Sequence, residues 1–171
     1  EGRARSGEYV KTVVECYNEA INSCLDGSYS REKIDNWTNR LSTVFNRGFW
    51  DGYYLGQKLG EWSKVYGSRA TQTKVYLGKV LNYYNKLGVA ELRIDTGEDL
   101  SVGEEVLFLG PTTGVVQQFV KELRKDLIQI EKVEQGALFS MTTNELVRRG
   151  DKLYKLVDTA ELKKKIRKQN S

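Results

Sequence analysis

A glycine and an acid separate two apolar segments in Leu100-Ser101-Val102-Gly103-Glu104-Glu105-Val106-Leu107-Phe108. The same order returns in Val147-Arg148-Arg149-Gly150-Asp151-Lys152-Leu153-Tyr154. In both stretches glycine can supply the positive φ angle that a tight turn needs, and the acid after it can accept hydrogen bonds from nearby backbone. Small closed β-barrels turn their corners in this way. The two stretches therefore predict one small β-barrel over residues 72–157.

Short segments of alternating apolar and polar residues recur through that region. They are separated by turn signals, the clearest of which is Gly110-Pro111-Thr112-Thr113-Gly114. Several short strands at this spacing favour an antiparallel barrel, and no helical period lies between them that would indicate a βαβ arrangement. The region is therefore expected to be all-β.

Two amphipathic helices precede the predicted barrel. Ser6 is the expected N-cap of the first helix, apolar residues recur at helical spacing over residues 10–25, and Gly27 follows as a helix-ending residue. Ser30 caps the second helix, which carries an apolar face over residues 34–45. The predicted fold class is therefore α+β: an N-terminal helical hairpin followed by a small antiparallel β-barrel.

The predicted organisation has four parts. Residues 1–56 form a helical segment with a glycine- and aromatic-rich loop, residues 57–71 a connector, residues 72–157 the barrel, and residues 158–171 a basic tail. In the loop, the aromatic rings beside Arg47 either fill a core, which we favour, or stack on nucleic-acid bases. The chain opens without Met, so we expect it to be a piece of a longer protein.

Several kinds of chemistry are excluded by composition. The chain has no His, so His-based zinc sites and Ser-His-Asp triads cannot form within it. Cys16 and Cys24 are eight residues apart, about 12 Å along a helix, which is too far for a disulfide. We interpret both as core-packing thiols of a cytoplasmic protein. We predict no catalytic residue, no metal site, no cofactor and no membrane partner in this chain.

Positive charge is concentrated in a few places. The net charge is +4, the tail carries five basic residues, and two pairs lie at predicted turns. Lys and Arg contact phosphates, whereas the alternative for the tail is a solvated, fraying terminus. The candidate RNA-binding residues are Arg47, Arg124, Lys125, Arg148, Arg149, Lys163, Lys164, Lys165, Arg167 and Lys168.

Three stretches carry a resemblance to a known family. They are Glu1-Gly2-Arg3-Ala4-Arg5-Ser6 with Tyr9-Val10-Lys11-Thr12-Val13-Val14, then Asn46-Arg47-Gly48-Phe49-Trp50-Asp51-Gly52-Tyr53-Tyr54-Leu55-Gly56, and the two barrel turns. The chain as a whole resembles the C-terminal part of the collagenase-like peptidase family, whose bacterial members include tRNA and ribosomal RNA hydroxylation proteins.

This resemblance implies a fold and a setting for the chain. The helices would end an α/β core that is missing here, and the barrel would be similar to the second domain of translation elongation factors. The Cys-rich signature of that family's core has no counterpart in this sequence. The resemblance therefore implies that any peptidase or RNA-hydroxylation centre belongs to the whole relatives, and that this chain holds no complete active site.

Three functional hypotheses follow. The first, which we favour, is a module that seats tRNA or ribosomal RNA against an upstream catalytic domain of the same protein. The second is an accessory domain that binds polypeptide substrates of a protease, with little dependence on salt. The third is a structural lid, which an exposed apolar patch on the two helices would support. Whether Cys16 or Cys24 contacts a site in the missing domain stays open.

Overall fold

A computed structural model describes residues 5–49, 69–160 and 162 of the chain. The fold divides into two compact units, a helical unit that ends at Gln72 and a sheet unit that begins at Thr73. Each unit is considered separately below.

The helical unit contains α1 (Gly7–Leu25) and α2 (Arg31–Thr43). Ser30 caps α2 as expected, since its hydroxyl accepts a hydrogen bond from the Lys33 backbone at 3.3 Å. Ser6 occupies the N-cap position of α1 without a side-chain cap bond. The predicted pair of N-terminal helices is confirmed.

A hydrogen-bonded group of side chains holds the two helices together. Glu19 of α1 accepts from the indole of Trp37 at 2.9 Å and from Arg40 at 2.6 Å, and Glu15 accepts from Arg40 at 3.2 Å. The Arg40 hydrogen bond, followed by that of Trp37, lowers the pKa of Glu19. Trp37 is buried, so the cluster fixes which face of α1 meets α2.

The two cysteines lie on different faces of α1. Cys16 is buried against α2, as predicted, and burial raises the pKa of its thiol. Cys24 is exposed, so the prediction that it packs in a core is wrong. The helical repeat places Cys24 on the side of α1 that α2 does not cover.

The described part of the sheet unit, together with Gln72, contains ten strands. Eight form one sheet in the order β5-β4-β10-β1-β2-β9-β6-β7, the register is antiparallel, and the short strands β3 and β8 pair with each other. The strands are β1 (Gln72–Tyr84), β2 (Val89–Ile94), β3 (Leu100–Ser101), β4 (Glu105–Gly110), β5 (Gly114–Phe119), β6 (Leu123–Lys125), β7 (Ile128–Ile130), β8 (Lys132–Val133), β9 (Leu138–Thr142) and β10 (Lys152–Asp158).

The first glycine–acid stretch forms the predicted turn. Gly103 has a φ angle of 87°, and the Glu104 carboxylate accepts from the Ser101 backbone at 2.9 Å. The Gly103 N–H donates to the Val120 carbonyl at 2.8 Å, while the Val120 N–H donates to the Glu104 carbonyl at 2.9 Å. Two residues thus oppose one, with glycine first and in the left-handed region, which is the pattern of a G1 β-bulge.

The second stretch repeats these bonds in the same positions. Gly150 has a φ angle of 91°, and the Asp151 carboxylate accepts from the Arg148 backbone at 2.7 Å. The Gly150 N–H donates to the Val80 carbonyl and the Val80 N–H to the Asp151 carbonyl, both at 2.9 Å. The prediction that both stretches make glycine turns with an acid bonded to the backbone is confirmed.

The sheet curls far enough for strands distant in its order to touch. The buried Gln118 of β5 donates from its amide nitrogen to the Thr142 carbonyl at 2.8 Å and accepts from the Asn144 backbone at 2.7 Å. These partners lie at the end of β9, five strands away from β5 in the sheet. Among the described strands, no backbone ladder closes the circuit, so the structure shows the antiparallel sheet of the prediction without its closed barrel.

One end of the sheet unit carries a partly buried ionic cluster. Lys155 of β10 contacts Glu104 at 2.8 Å and Asp99 at 3.1 Å, and Lys132 contacts Asp99 at 2.8 Å. Hydrogen bonds from Lys132 and Lys155 lower the pKa of Asp99 to about 2. Burial by itself would lower the pKa of Lys155, but the hydrogen bonds to Glu104 and Asp99 outweigh it and the pKa is raised. The cluster ties the loop before β3 to β8 and β10.

The two bulge glycines give the first test of the fold. A Cβ added at Gly103 or Gly150 would meet no atom within 4 Å, so the cost of Gly→Ala arises from the positive φ angle alone. We expect each substitution to lower the free energy of unfolding in urea by about 1–2 kcal/mol. Gly97→Ala, at a turn glycine without a positive φ, is the control and should be neutral or mildly stabilising. Equal losses at all three positions would contradict the turn assignment.

The ionic cluster predicts a pH dependence of stability. The folded-state pKa of Asp99 lies below its ordinary 3.8, so its stabilisation is complete above that value and is lost as pH falls towards 2. Its side chain is 43% exposed, which reduces the expected effect to about 1 kcal/mol. Asp99→Asn should therefore be less stable than the parent at pH 6, and this deficit should shrink by at least about half at pH 2.

Urea unfolding at both pH values measures this difference. The neighbouring exposed acid supplies the matched control, since Glu98→Gln should follow the parent at both pH values. If the loss of unfolding free energy caused by Asp99→Asn were the same at pH 6 and pH 2, the ionic role of Asp99 would be contradicted.

Candidate nucleic-acid interface

Two basic side chains face each other across β1 and β2 on the outer surface of the sheet. Lys79 lies directly opposite Arg93 in the ladder, and both are exposed. Their neighbours Val80, Leu92 and Ile94 are buried in the core, so strand alternation directs Lys79 and Arg93 outwards. Like charges opposite each other destabilise a sheet, and Asp95 beside Arg93 offsets part of this repulsion.

The Arg148–Arg149 turn lies beside that pair. Because Val80 exchanges backbone hydrogen bonds with Gly150 and Asp151, the turn sits next to Lys79 in the adjoining strand. Lys152 follows in β10 and is exposed, whereas the next residue, Leu153, is buried. The outward side chains at the start of β10 therefore continue the basic surface of β1 and β2.

A buried acid anchors this turn from below. Asp151 accepts from the Arg148 backbone at 2.7 Å and from the Thr113 hydroxyl at 2.5 Å. The Arg148 guanidinium also donates to Thr113 at 3.2 Å. A Cβ at Gly110 would collide with the Asp151 carboxylate, so glycine at that position makes room for the acid. The backbone under the two arginines is thus fixed before any ligand binds.

Arg124 extends the same outer surface to β6. It pairs with Ser140 of β9, and β9 pairs with β2, where Leu138 lies opposite Arg93. We call the following set the basic strip, which crosses the adjacent strands β10, β1, β2, β9 and β6: Lys79, Arg93, Arg124, Arg148, Arg149 and Lys152. At about 4.8 Å between strands, the strip spans roughly 19 Å along the sheet.

Acids partly offset the strip. Asp95 contacts Arg93 at 2.7 Å and Glu122 contacts Arg124 at 2.6 Å. The Arg93 hydrogen bond lowers the pKa of Asp95. Residues 73–160 hold 12 Lys and Arg against 13 Asp and Glu, so the sheet unit is close to neutral and the strip is a local excess.

The other predicted cations lie elsewhere. Lys125 follows Arg124 in β6, so its side chain lies on the opposite face of the strand, and it lines a separate groove with Ile130 and Lys132. Arg47 belongs to the helical unit, where it lines a groove that includes Phe49. Five predicted residues fall outside the part of the chain that the structure describes: Lys163, Lys164, Lys165, Arg167 and Lys168.

Three members of the strip were missed by sequence reasoning, namely Lys79, Arg93 and Lys152. Arg93 lies between two apolar residues, and Lys79 and Lys152 each precede one, which is the alternation that marks an outward-facing position. The missing information was the pairing of strands, since β1 adjoins both β2 and β10 although β10 is distant in sequence.

Other kinds of site receive no support in the described ranges. Residues 5–49, 69–160 and 162 contain no group of three or more Cys, Asp or Glu side chains arranged to hold a metal ion. Within the same ranges, no helix is both long and apolar enough to cross a membrane.

Comparison with known proteins identifies relatives of the chain. Residues 1–64 match the model of peptidase family U32. Over 155 residues, 91% of this chain and 37% of the relative, the chain is 54% identical to a protein named collagenase from Porphyromonas gingivalis. It is 35% identical over 162 residues, 93% of this chain and 39% of the relative, to an uncharacterized protease of Methanocaldococcus jannaschii.

A solved structure also aligns with part of the chain. It is the C-terminal domain of a Geobacillus thermoleovorans protein described as a U32 peptidase, with a TM-score of 0.44 and 17% identity over 47% of this chain and 90% of that one. The chain spans less than half the length of the curated relatives it matches.

Fold and surface together define a two-helix unit followed by an antiparallel sheet unit with a basic outer strip. The sequence matches confirm the predicted resemblance to the collagenase-like peptidase family: residues 1–64 match peptidase family U32, and proteins named collagenase and protease align with more than nine-tenths of the chain.

The anchor beneath the strip can be tested by Asp151→Ala. This change leaves the Thr113 hydroxyl and the Arg148 N–H without their acceptor, so we expect a loss of about 2 kcal/mol in the free energy of unfolding. Glu145→Ala removes an exposed acid from the preceding loop and should change stability by less than about 0.5 kcal/mol. Chemical denaturation followed by far-ultraviolet circular dichroism measures both, and equal small effects would count against the anchor.

Proposed function

We propose that this chain is an accessory unit of a longer U32-family protein and seats structured RNA, such as tRNA or ribosomal RNA, against the rest of that protein. The observation that carries the proposal is the basic strip. Four of its six cations lie in β1, β2, β6 and β10, and Arg148 and Arg149 lie in the turn before β10. Among the described residues, Asp95 and Glu122 pair with Arg93 and Arg124.

The shape of the strip favours a polyanion over a small anion. A small anion needs cations that converge on one point, whereas these side chains extend in a row across the sheet. A row of Lys and Arg matches the repeating phosphates of a nucleic-acid backbone, to which such residues bind without reading the sequence. The strip would therefore position RNA, and recognition of particular bases would come from elsewhere.

The C-terminal tail would add to this electrostatic attraction. Residues 161–171 hold five Lys and Arg and one acid, so the tail carries a net charge of +4, which equals the net charge of the whole chain. The strip supplies fixed positions for phosphates, and the tail supplies the excess charge that draws a polyanion towards an otherwise neutral sheet unit.

The fold itself carries a related proposal. We propose that the curled sheet acts as a small barrel of the kind seen in translation factors, in which the Gln118 side chain joins β5 to the end of β9 in place of a backbone ladder. Its two hydrogen bonds are both to backbone groups, so it substitutes for a missing strand pair.

A polypeptide-binding role is the second candidate. The tip of the β6–β7 hairpin exposes Leu127 and Ile128, which are 88% and 69% exposed, and both Asp126 and Leu127 adopt positive φ angles. An apolar tip held in a sparsely populated conformation suits contact with a protein surface. The relatives named collagenase and protease fit a polypeptide ligand.

Salt dependence separates the two functions. We expect RNA binding whose affinity falls steeply with salt, and the double variant Arg148→Ala with Arg149→Ala should reduce the slope of log K against log salt by roughly 1 per lost phosphate contact. Titration of tRNA at several salt concentrations, followed by fluorescence anisotropy, measures the slope. Lys86→Ala, an exposed cation in the β1–β2 turn and outside the strip, is the control.

Each outcome bears on one part of the proposal. Binding that survives the double variant but fails when Lys163, Lys164 and Lys165 become Gln would assign RNA to the tail and remove the strip from the interface. Absence of RNA binding at low salt would reject the function. Salt-independent polypeptide binding that Leu127→Gly abolishes would establish the second candidate instead.

A further inference from the structure

One face of α1 is apolar and open to solvent. Val14, Tyr17, Ile21 and Leu25 are between 52% and 81% exposed, although they lie in a well-formed helix with α2 packed beside it. We call these four residues the α1 face. Single exposed apolar residues are ordinary on protein surfaces, but a contiguous row of four marks an interaction surface.

The spacing of this face indicates what kind of element covers it. Within the face, Tyr17 follows Val14 after three residues, Ile21 follows after four, and Leu25 follows after four more. Steps of three and four residues keep side chains on one side of a helix and form the seam along which two helices pack side by side. The face therefore fits a helix better than an extended strand or a nucleic acid.

The α1 face lies apart from the surface that binds α2 except at Tyr17, which borders a groove lined by Leu41, Val44 and Phe45 at the end of α2. Cys16 is buried and Glu15, Glu19 and Arg40 form the ion pairs between the helices, whereas Ile21 and Leu25 lie on another side of the helical cylinder. Among the described residues, α2 therefore covers one side of α1, and the side that carries Ile21 and Leu25 is uncovered.

We infer that the α1 face docks against a helix of the remaining part of the same U32-family polypeptide. Two findings identify this occupant. The family match covers residues 1–64, and so includes α1 and α2. The curated relatives are more than twice as long as the stretch that this chain matches. The face is then an internal interface of the longer protein, and the sheet unit is tethered to it through the helices.

Cys24 offers a reporter inside this surface. It is exposed, and it lies three residues after Ile21 in the same row, whereas Cys16 is buried on the α2 side. A thiol reagent should modify Cys24 rapidly in the 171-residue chain. In the longer natural polypeptide, docking of the α1 face should slow this reaction at least tenfold. Mass spectrometry of the peptide that contains Cys24 follows the reaction at one site.

Charge placed on the face should reverse the protection. In the longer polypeptide, Ile21→Asp should restore fast labelling of Cys24, while Asn22→Asp, which places the same charge on an exposed position away from the row, should leave the protection intact. Ile21 is already exposed in the 171-residue chain, so circular dichroism of that chain confirms that the variant folds.

Three results would overturn the inference. They are equal labelling of Cys24 in the two polypeptides, protection that Ile21→Asp leaves unchanged, and protection in the 171-residue chain that grows with its own concentration. The last would show that a second copy covers the face. RNA binding by the 171-residue chain should be the same with Ile21 or Asp at this position, so failure of the docking inference is distinguishable from failure of the RNA proposal.

Discussion

The sheet unit depends on two glycine–acid bulges that have the same pattern of hydrogen bonds. In each, a glycine with positive φ donates to a buried valine carbonyl, that valine donates back to the acid's carbonyl, and the acid's carboxylate accepts from the residue three positions earlier. Val120 and Val80 are the two opposing residues, and both lie in the core. Each bulge bends its strand where the chain must change direction, so the curl of the sheet follows from local hydrogen bonding as much as from core packing.

The two bulges have different neighbours, and this gives the ends of the sheet unit different roles. Glu104 also binds Lys155, so the first bulge joins an ionic cluster that neutralises its own charge. Asp151 is instead occupied by hydroxyl and backbone donors, and the two arginines before it remain at the surface. The first bulge therefore uses its acid for cohesion, while the second fixes the backbone beneath the basic strip.

Much of this arrangement could be predicted from the sequence. Glycine followed by an acid between apolar segments favours a tight turn with the acid bonded to the backbone. The two helices were predicted from the helical spacing of their apolar residues and from the N-cap Ser30. Only three of the six residues of the basic strip were predicted. Lys79 and Arg93 become neighbours through the pairing and register of their strands, and the alternation of apolar and polar residues does not determine that pairing. Cys24 was misassigned because an apolar position on a helix indicates burial against some partner, and α2 covers only one face of α1.

The same reasoning connects the exposed face of α1 to the near-neutral charge of the sheet unit. An isolated domain that bound RNA through its sheet alone would need a large excess of positive charge there, and residues 73–160 have none. Placement against a larger body would compensate, since a polyanion held by other parts of the protein needs only a short row of cations to set its position. The proposed docking through α1 and the proposed contact through the strip would thus be complementary, because a weak but oriented phosphate surface becomes effective once tethering raises its local concentration.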